Sequence, residues 1–193
     1  MILLKSTSMV GSVIKAVNIN NMMGNTDTST SFSAIENANA QVLILGSMPS
    51  VESLKQQQYY AHPRNVFWRI MKDLFSLADE LSYSQLCTSL IKHKIAVWDV
   101  LQSCQRQGSL DSNIDASSIV ANNFTHFLQQ HQMIGLIVFN GAKAEQIFNQ
   151  YVLATLTDTQ LTIVRKRLPS TSPAHAAMSF EKKHECWQKI LLS

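Results

Sequence analysis

Gln41-Val42-Leu43-Ile44-Leu45-Gly46 is a short, unbroken apolar stretch that ends in glycine, which is the pattern of a buried parallel strand. Two stretches of the same kind follow, IAVWDV at 95–100 and GLIVFNG at 135–141. A fourth, with less clean alternation, is LTIVRKRL at 161–168. The sequence therefore predicts four strands.

Helical spacing of apolar residues appears between and after these strands, at 66–75, 84–93, 117–131, 142–152 and 179–192. The residues 101–114 that follow the second strand are mostly polar, and they predict a long loop. Strands that alternate with helices predict an α/β fold. We expect a three-layer α/β/α sandwich around a central, mostly parallel four-stranded sheet.

The N-terminal region differs in composition from the rest of the chain. Residues 18–33 consist mainly of Asn, Ser and Thr, with almost no apolar periodicity. Such a segment buries too little apolar surface to offset its ordering entropy. We expect a flexible polar leader at 1–39 and one folded domain at 40–193.

Composition excludes several classes of protein. The 193 residues are 46% hydrophobic and only 15% charged, which argues against a disordered chain or a coiled coil. No apolar run reaches the ~18 residues of a membrane helix, so a cytoplasmic protein is expected. Three cysteines and scattered histidines give no metal-ligand spacing. The net charge of +3 permits a nucleic-acid partner without requiring one.

The carboxyl ends of parallel strands share one edge of a sheet, where ligands bind in such folds. The segments predicted at this edge are GSMPS (46–50), WD (98–99), NGAKA (140–144) and LPSTSPAHA (168–176). They are rich in small and polar residues, which indicates a cleft built from loops. A further block, YYAHPRNVFW at 59–68, concentrates aromatic and polar residues ahead of the first long helix.

These blocks, in this order and spacing, resemble the uracil-DNA glycosylase superfamily, and within it the hypoxanthine-DNA (deoxyinosine) glycosylase branch. The resemblance covers about residues 41–192. It implies hydrolysis of the N-glycosidic bond of a deaminated base in DNA, leaving an abasic site, with no metal or other cofactor. The nucleotide is flipped from the duplex, and its base is read and stacked in a pocket.

The resemblance also implies roles for individual residues. Asn65 holds the attacking water, although the same residue is suited to cap the next helix. Met48 stands where the uracil-removing enzymes carry an Asp or Asn, and it cannot polarise water. Ser47 and His175 are further catalytic candidates; His175 replaces an asparagine usual in this branch.

Other residues are expected to bind the base. Tyr59 or Tyr60 stacks on it, and Asp99 either reads its edge or anchors the loop that follows. An ionised Asp99 would accept the N1–H of hypoxanthine but repel the neighbouring carbonyl oxygen. The remaining candidates for substrate binding are Gly46, Met48, Pro49, Ser50 and Asn140.

Contacts with the DNA backbone are expected from Arg64, Lys143, Ser170, Thr171, Ser172 and Pro173. The predicted enzyme is a monomer that acts in base-excision repair on DNA containing hypoxanthine or, alternatively, uracil, and has no membrane partner. Two other interpretations stay open at this point: a uracil- or mismatch-specific glycosylase, and a nucleic-acid-binding relative that has lost catalysis.

Overall fold

The computed structural model describes residues 28–192. Along the chain its elements are β1 (Thr28–Thr30), β2 (Val42–Gly46), α1 (Val51–Gln56), α2 (Phe67–Phe75), α3 (Tyr83–Lys92), β3 (Ile95–Asp99), β4 (Leu101–Gln105), β5 (Val120–Ala121), α4 (Phe124–Gln130), β6 (Leu136–Asn140), α5 (Ala142–Tyr151), α6 (Asp158–Leu161), β7 (Val164–Leu168) and α7 (Phe180–Leu191). Short 3₁₀ turns occupy Asp111–Asn113, Ala116–Ser118 and Leu153–Thr155.

The central sheet has four strands in the order β3-β2-β6-β7, and every neighbouring pair is parallel. Successive side chains of a strand point to opposite faces, and β2 shows this directly. Leu43 and Leu45 pack in one core, whereas Ile44 packs in the other. The predicted three-layer α/β/α fold is confirmed.

Helices cover both faces of this sheet. Phe124 of α4 and Phe148 of α5 belong to the core on one side. Phe67 of α2, Leu90 of α3 and Trp187 of α7 belong to the core on the other. Among the helices of residues 28–192, none combines the length and the apolar character needed to span a bilayer.

A second, three-stranded sheet lies beside the first, in the order β1-β4-β5. Its strand β4 falls in the stretch predicted to be a loop, so that prediction is wrong for residues 101–105. Thr28, Ser29 and Thr30 pair antiparallel with Gln105, Cys104 and Ser103. The polar sequence of β4 does not reveal a strand, and its partner β1 lies about 75 residues away in the chain.

The segment 28–39, which we call the strap, corrects the predicted domain boundary. Ile35 is buried, and it exchanges two backbone hydrogen bonds with Val97 of β3, at 2.9 and 2.8 Å. The strap therefore packs on the folded domain, and residues 28–39 of the predicted flexible leader are part of the fold. The rest of that leader, residues 1–27, lies outside the described residues.

Two other predicted elements change their bounds, and one helix is new. The helix predicted at 117–131 begins only at Phe124, because the Asn123 side chain accepts a hydrogen bond from the His126 N–H. The strand predicted from 161 begins at Val164, since Thr157 and Gln160 form a capping box that starts helix α6. Helix α1, which Ser50 caps, was not predicted.

Candidate functional site

A cavity of about 100 Å³ lies at the carboxyl edge of the central sheet. Gly46 ends β2 directly beside Asp99 at the end of β3, and Asn140 ends β6 beside Leu168 of β7. The loops that leave these strands surround the cavity, as the sequence predicts. Its walls are formed by Gly46, Ser47, Met48, Pro49, Ser50, Ser53, Tyr59, Tyr60, Asn65, Asp99, Ser109, Asp111, Asn140, Ser170, Thr171 and Ser172.

Asn65 lies half-buried in the cavity wall, immediately before α2. Its Oδ1 accepts a hydrogen bond from the Phe67 N–H at 3.0 Å, so this side chain does support the start of the helix. Within residues 28–192, its Nδ2 has no hydrogen-bond partner. The Oδ1 of Asn65 is therefore used as an acceptor within the fold. The two N–H groups on Nδ2 are available to donate to a ligand.

The two tyrosines differ in their surroundings. Tyr59 is only 2% exposed, and its hydroxyl lies 3.2 Å from the carbonyl oxygens of Phe32 and Ser33, so its ring belongs to the core. Tyr60 stacks on Phe67 with ring centroids 4.0 Å apart. Its φ of 56° is left-handed, a conformation that costs a non-glycine residue about 1–3 kcal/mol. Of the two stacking candidates, the structure favours Tyr60.

The hydroxyl of Tyr60 also differs from that of Tyr59 in its hydrogen bonding. It is buried, and among the described residues it makes no hydrogen bond of normal geometry, although the Asn140 side chain lies close enough to lower its pKa. Burial, together with the charge of nearby Asp99, raises the pKa of Tyr60, so the group stays a neutral phenol. A buried polar group without a partner is unusual, and it often marks a place where a ligand or water binds.

Asp99 is 3% exposed, at the end of β3. Its Oδ2 accepts a hydrogen bond from the Ser31 hydroxyl of the strap at 2.9 Å. Burial and the charge of Asp111 raise the pKa of Asp99, the Ser31 hydrogen bond and Arg106 lower it, and the resulting pKa is about 7. The carboxyl group is therefore protonated in a substantial fraction of molecules at neutral pH.

Glycine is required at position 46 by this carboxyl group. A Cβ on Gly46 would lie 2.5 Å from Asp99 Oδ1 and 3.5 Å from the Tyr60 hydroxyl. Real Cβ atoms do not come within 3.0 Å of another atom, so a side chain at position 46 would displace the Asp99 carboxyl group, whereas the distance to Tyr60 is an ordinary contact. The absence of a side chain at Gly46 thus lets Asp99 and Tyr60 meet at the cavity.

Other residues of the GSMPS block are held in place by hydrogen bonds to the loop that contains Arg106 and Asp111. Ser47 donates its hydroxyl to Asp111 Oδ2 at 2.7 Å, and the carbonyl oxygen of Pro49 accepts from the Arg106 guanidinium. Met48 is 7% exposed and packs into the core, in keeping with a position that does not polarise water. Ser50 caps α1 by accepting from the Ser53 N–H.

Asn140 and Thr171 lock the last loop to the sheet. Asn140 Nδ2 donates to Thr171 Oγ1 at 2.9 Å, and the Thr171 N–H donates back to Asn140 Oδ1 at 2.8 Å. The Thr171 carbonyl oxygen accepts from Val66, next to Asn65. Thr171 is completely buried, which leaves its side chain no surface for DNA. Gly141, with φ 105°, is needed because a Cβ there would lie 2.9 Å from Ser170.

Four predicted residues lie outside the walls of this cavity: Arg64, Lys143, Pro173 and His175. Arg64 is exposed, whereas Lys143 and Pro173 are half-buried. His175 is exposed and lines a neighbouring cavity with Arg167 and Met178. Of the three proposed catalytic residues, Asn65 and Ser47 thus line the same cavity, whereas His175 does not.

Sequence reasoning missed Ser31, Arg106 and Asp111. Ser31 lies in a polar tract that resembles a leader, and no local signal marks it. Asp111 lies in the polar stretch after β3, where a lone carboxylate at the ligand-binding edge of the sheet was a usable signal. Within residues 28–192, no group of three or more His, Cys, Asp or Glu side chains is placed to hold a metal ion.

Comparisons with known proteins agree with this architecture. The family model of the uracil DNA glycosylase superfamily matches residues 33–191. A Methanosarcina acetivorans protein named hypoxanthine DNA glycosylase is 32% identical over 160 residues, 82% of this chain and 95% of that protein. A Methanosarcina barkeri protein of the same name is 32% identical over 114 residues, 58% of this chain and 71% of its own length.

A solved structure gives the same result for the fold. A solution NMR structure from Methanosarcina acetivorans, which carries the name uracil DNA glycosylase, has a TM-score of 0.70 and 31% identity, and covers 86% of this chain and 97% of its own. The family model spans most of the chain and begins inside the strap. The chain belongs to the uracil DNA glycosylase superfamily.

Proposed function

We propose that this chain is a DNA glycosylase that removes hypoxanthine from DNA by hydrolysing the N-glycosidic bond, leaving an abasic site for base-excision repair. The observation that carries the proposal is the cavity in which Asn65, Tyr60 and Asp99 meet. The names of the two Methanosarcina relatives support it. A flipped nucleotide is the form in which a base reaches such a pocket.

Asp99 is the proposed base reader. Hypoxanthine presents an N–H donor beside a carbonyl acceptor on its Watson–Crick edge. A protonated carboxyl group offers one acceptor and one donor, so it matches this pair, whereas a carboxylate offers acceptors only. The conflict expected from an ionised Asp99 is removed because burial raises its pKa to about 7.

Tyr60 and Asn65 complete the proposed site. The Tyr60 ring is held on Phe67 and supplies an aromatic surface for the flipped base. The Nδ2 donors of Asn65 hold the oxygen of the attacking water. Exposed Arg64 and the loop around Ser172, with His175 beyond it, are assigned to the DNA backbone, because most protein–DNA hydrogen bonds go to phosphate and sugar.

Uracil is the second candidate base, since its N3–H and adjacent carbonyl oxygen present the same donor–acceptor pair to Asp99. The two bases differ in size, as a purine has two rings. A relative that binds nucleic acid without catalysis remains the alternative of another class. One experiment separates all three.

The test uses purified full-length protein and duplexes that carry a single hypoxanthine, uracil or xanthine, with an undamaged duplex as control. Abasic sites are revealed by alkaline cleavage under single-turnover conditions. We expect the fastest cleavage with hypoxanthine. Faster cleavage with uracil would assign the enzyme to the other base, and binding without cleavage of any duplex would contradict the glycosylase assignment.

A further inference from the structure

The loop at residues 106–115, which we call the Asp111 loop, is fastened at two points to the GSMPS block and at a third to the first residue of α1. Asp111 accepts from the Ser47 hydroxyl, and Arg106 donates to the Pro49 carbonyl oxygen. The Ser109 hydroxyl accepts from the Val51 N–H at 2.9 Å. Three contacts along five consecutive residues make this loop a built wall of the cavity.

Asp111 is the member of this loop best suited to chemistry. Its side chain lines the cavity and is 34% exposed, whereas the Arg106 side chain behind it is completely buried. Arg106 Nη1 lies 3.8 Å from Asp111 Oδ1, and among the described residues this nitrogen and Nε have no hydrogen-bond partner. The buried cation therefore has Asp111 as its ion-pair partner, and Asp99 also lies within reach of its charge.

We propose that Asp111 is a catalytic residue whose carboxylate faces the sugar of the flipped nucleotide, stabilises the positive charge that develops there and accepts a proton from the attacking water. The inference rests on the proposed glycosylase function. It assigns to Asp111 the negative charge that Met48 cannot supply at the position where uracil-removing members of the superfamily carry an acidic or amide side chain.

The proposed reaction is balanced as follows. The bond between C1′ and the base nitrogen breaks, and its electron pair leaves with the base. The water oxygen forms a bond to C1′, and one water proton passes to the Asp111 carboxylate. That proton then returns to the base or to solvent, so that one water is consumed, one base is released and Asp111 is regenerated.

Asn65 cannot perform this step. A side-chain amide holds and orients a water molecule, but it does not accept a proton at neutral pH. A carboxylate does both, and its fixed negative charge also stabilises a developing cation in a partly enclosed site. Asn65 and Asp111 line the same cavity. In the proposed mechanism Asn65 orients the water and Asp111 accepts its proton.

The surroundings of Asp111 set its protonation. Burial raises the pKa of Asp111, whereas the Ser47 hydrogen bond, Arg106 and Lys143 lower it. Asp99 is the other acidic group of the cavity, and its charge and that of Asp111 repel each other. Because the ionised form of Asp111 is the useful one, the rate should rise with pH on the acid side of the profile.

The test compares the parent with Asp111→Asn, which keeps an oxygen to accept from Ser47, and with Asp73→Asn, a control that removes a charge from an exposed site on α2. Two quantities are measured. One is the single-turnover rate of hypoxanthine release against pH. The other is the ratio of the Kd for a duplex with a neutral tetrahydrofuran abasic site to the Kd for a duplex with a cationic pyrrolidine abasic site.

We expect Asp111→Asn to lower the rate about a hundredfold or more, the effect of losing one oriented electrostatic group, and to flatten its acid limb. The preference for the cationic abasic site should fall at least tenfold, while Asp73→Asn matches the parent in both. An unchanged preference overturns the proposal whatever the rate. The binding ratio is measured without base release, so it tests Asp111 even if the parent proves to be no glycosylase.

Discussion

The Ser31 hydroxyl donates to Asp99 Oδ2 at 2.9 Å, and this bond joins the N-terminal strap to the carboxyl group at the base of the cavity. The two residues are 68 positions apart in sequence. Ser31 is held in place because β1 pairs with β4 just before it and its own N–H donates to the Gln102 carbonyl oxygen. The strap therefore takes part in the site as well as in the fold.

We expect Ser31→Ala to shift the alkaline limb of the rate profile to higher pH. The Ser31 hydrogen bond stabilises the Asp99 carboxylate and lowers its pKa, so its loss lets burial raise that pKa above about 7. The single-turnover rate of hypoxanthine release is measured between pH 5 and 9. Ser31→Thr, which keeps the hydroxyl, and Ser84→Ala on the exposed face of α3 are the controls. A limb at the parent's pH in Ser31→Ala would contradict the coupling.

We expect Asp99→Asn to retain activity near neutral pH and to lose the alkaline limb. An amide presents a donor and an acceptor at every pH, whereas the protonated form of Asp99 disappears as the pH rises through about 7. Thermal melting gives a second readout. Because the folded pKa of Asp99 is raised from 3.8, the neutral form stabilises the parent at low pH, and this contribution is lost as the pH rises through about 7.

The melting temperature of Asp99→Asn should therefore rise relative to the parent between pH 4 and pH 8. Asp73→Asn serves as the matched control, because Asp73 is exposed on α2. A constant difference in melting temperature across this range would show that Asp99 is ionised in the folded protein at all these pH values.

We expect deletion of residues 1–33 to destabilise the protein, in contrast to the near-neutral effect that a flexible leader predicts. The deletion removes β1, the Ser31–Asp99 hydrogen bond and the contact of Phe32 with Tyr59. Several hydrogen bonds worth about 0.5–1.5 kcal/mol each are lost, for a total of ~2 kcal/mol or more in the free energy of unfolding. Urea unfolding measures it. A deletion of 1–27 retains all these contacts and is the comparison.

The strap was predicted to be a flexible leader but packs on the domain, and it shows which kind of segment the sequence pattern does not predict. The strands β2, β3 and β6 were predicted within one or two residues, because a buried parallel strand is apolar throughout. The strap has no such signature. Its Thr and Ser residues lie on an edge sheet, and Ile35, its one buried hydrophobic residue, is accompanied only by Phe32 and small alanines, too few to show a strand or helix pattern.

The residues of the candidate site were likewise predicted only in part. The segments that hold Gly46, Asp99 and Asn140 were predicted from their places at the ends of strands, since parallel strands bring their carboxyl ends to one edge, and the family resemblance pointed to these residues within them. The choice between Tyr59 and Tyr60 needed the structure, because adjacent positions in a loop have no regular periodicity. A lone carboxylate in the stretch after β3 was the one sequence signal for Asp111, and its contact with Ser47 depends on the path of its loop across the GSMPS block, which neither sequence reveals.

We expect Tyr60→Ala to weaken binding to DNA that carries hypoxanthine by about 1–3 kcal/mol, the usual contribution of one base–aromatic stack. Tyr60→Phe keeps the ring on Phe67, so it should retain most of this affinity. Titration of a fluorescent duplex with catalytically impaired protein measures both. Tyr59→Phe is the matched control for hydroxyl loss in the core. If Tyr60→Phe binds as weakly as Tyr60→Ala, the buried hydroxyl contacts the base and stacking is not the main contribution.

Asn65 has two separable functions, and one pair of substitutions distinguishes them. Its Oδ1 supports the start of α2 through the Phe67 N–H, while its Nδ2 donors face the cavity. Asn65→Ala removes both, so it should cost ~1 kcal/mol in stability and on the order of a hundredfold in the single-turnover rate. Asn65→Ser keeps an oxygen that can accept from the helix.

Asn65→Ser should therefore melt close to the parent and yet react as slowly as Asn65→Ala, because a single hydroxyl does not reproduce the reach of the amide donors. Asn149→Ala, on the exposed face of α5, controls for loss of an asparagine remote from the cavity. Parent-like rates in Asn65→Ser would show that the helix start is the only function of Asn65. The water would then be held by other side chains of the cavity, and Ser47 and Asp111, which are joined at 2.7 Å, are the nearest alternative.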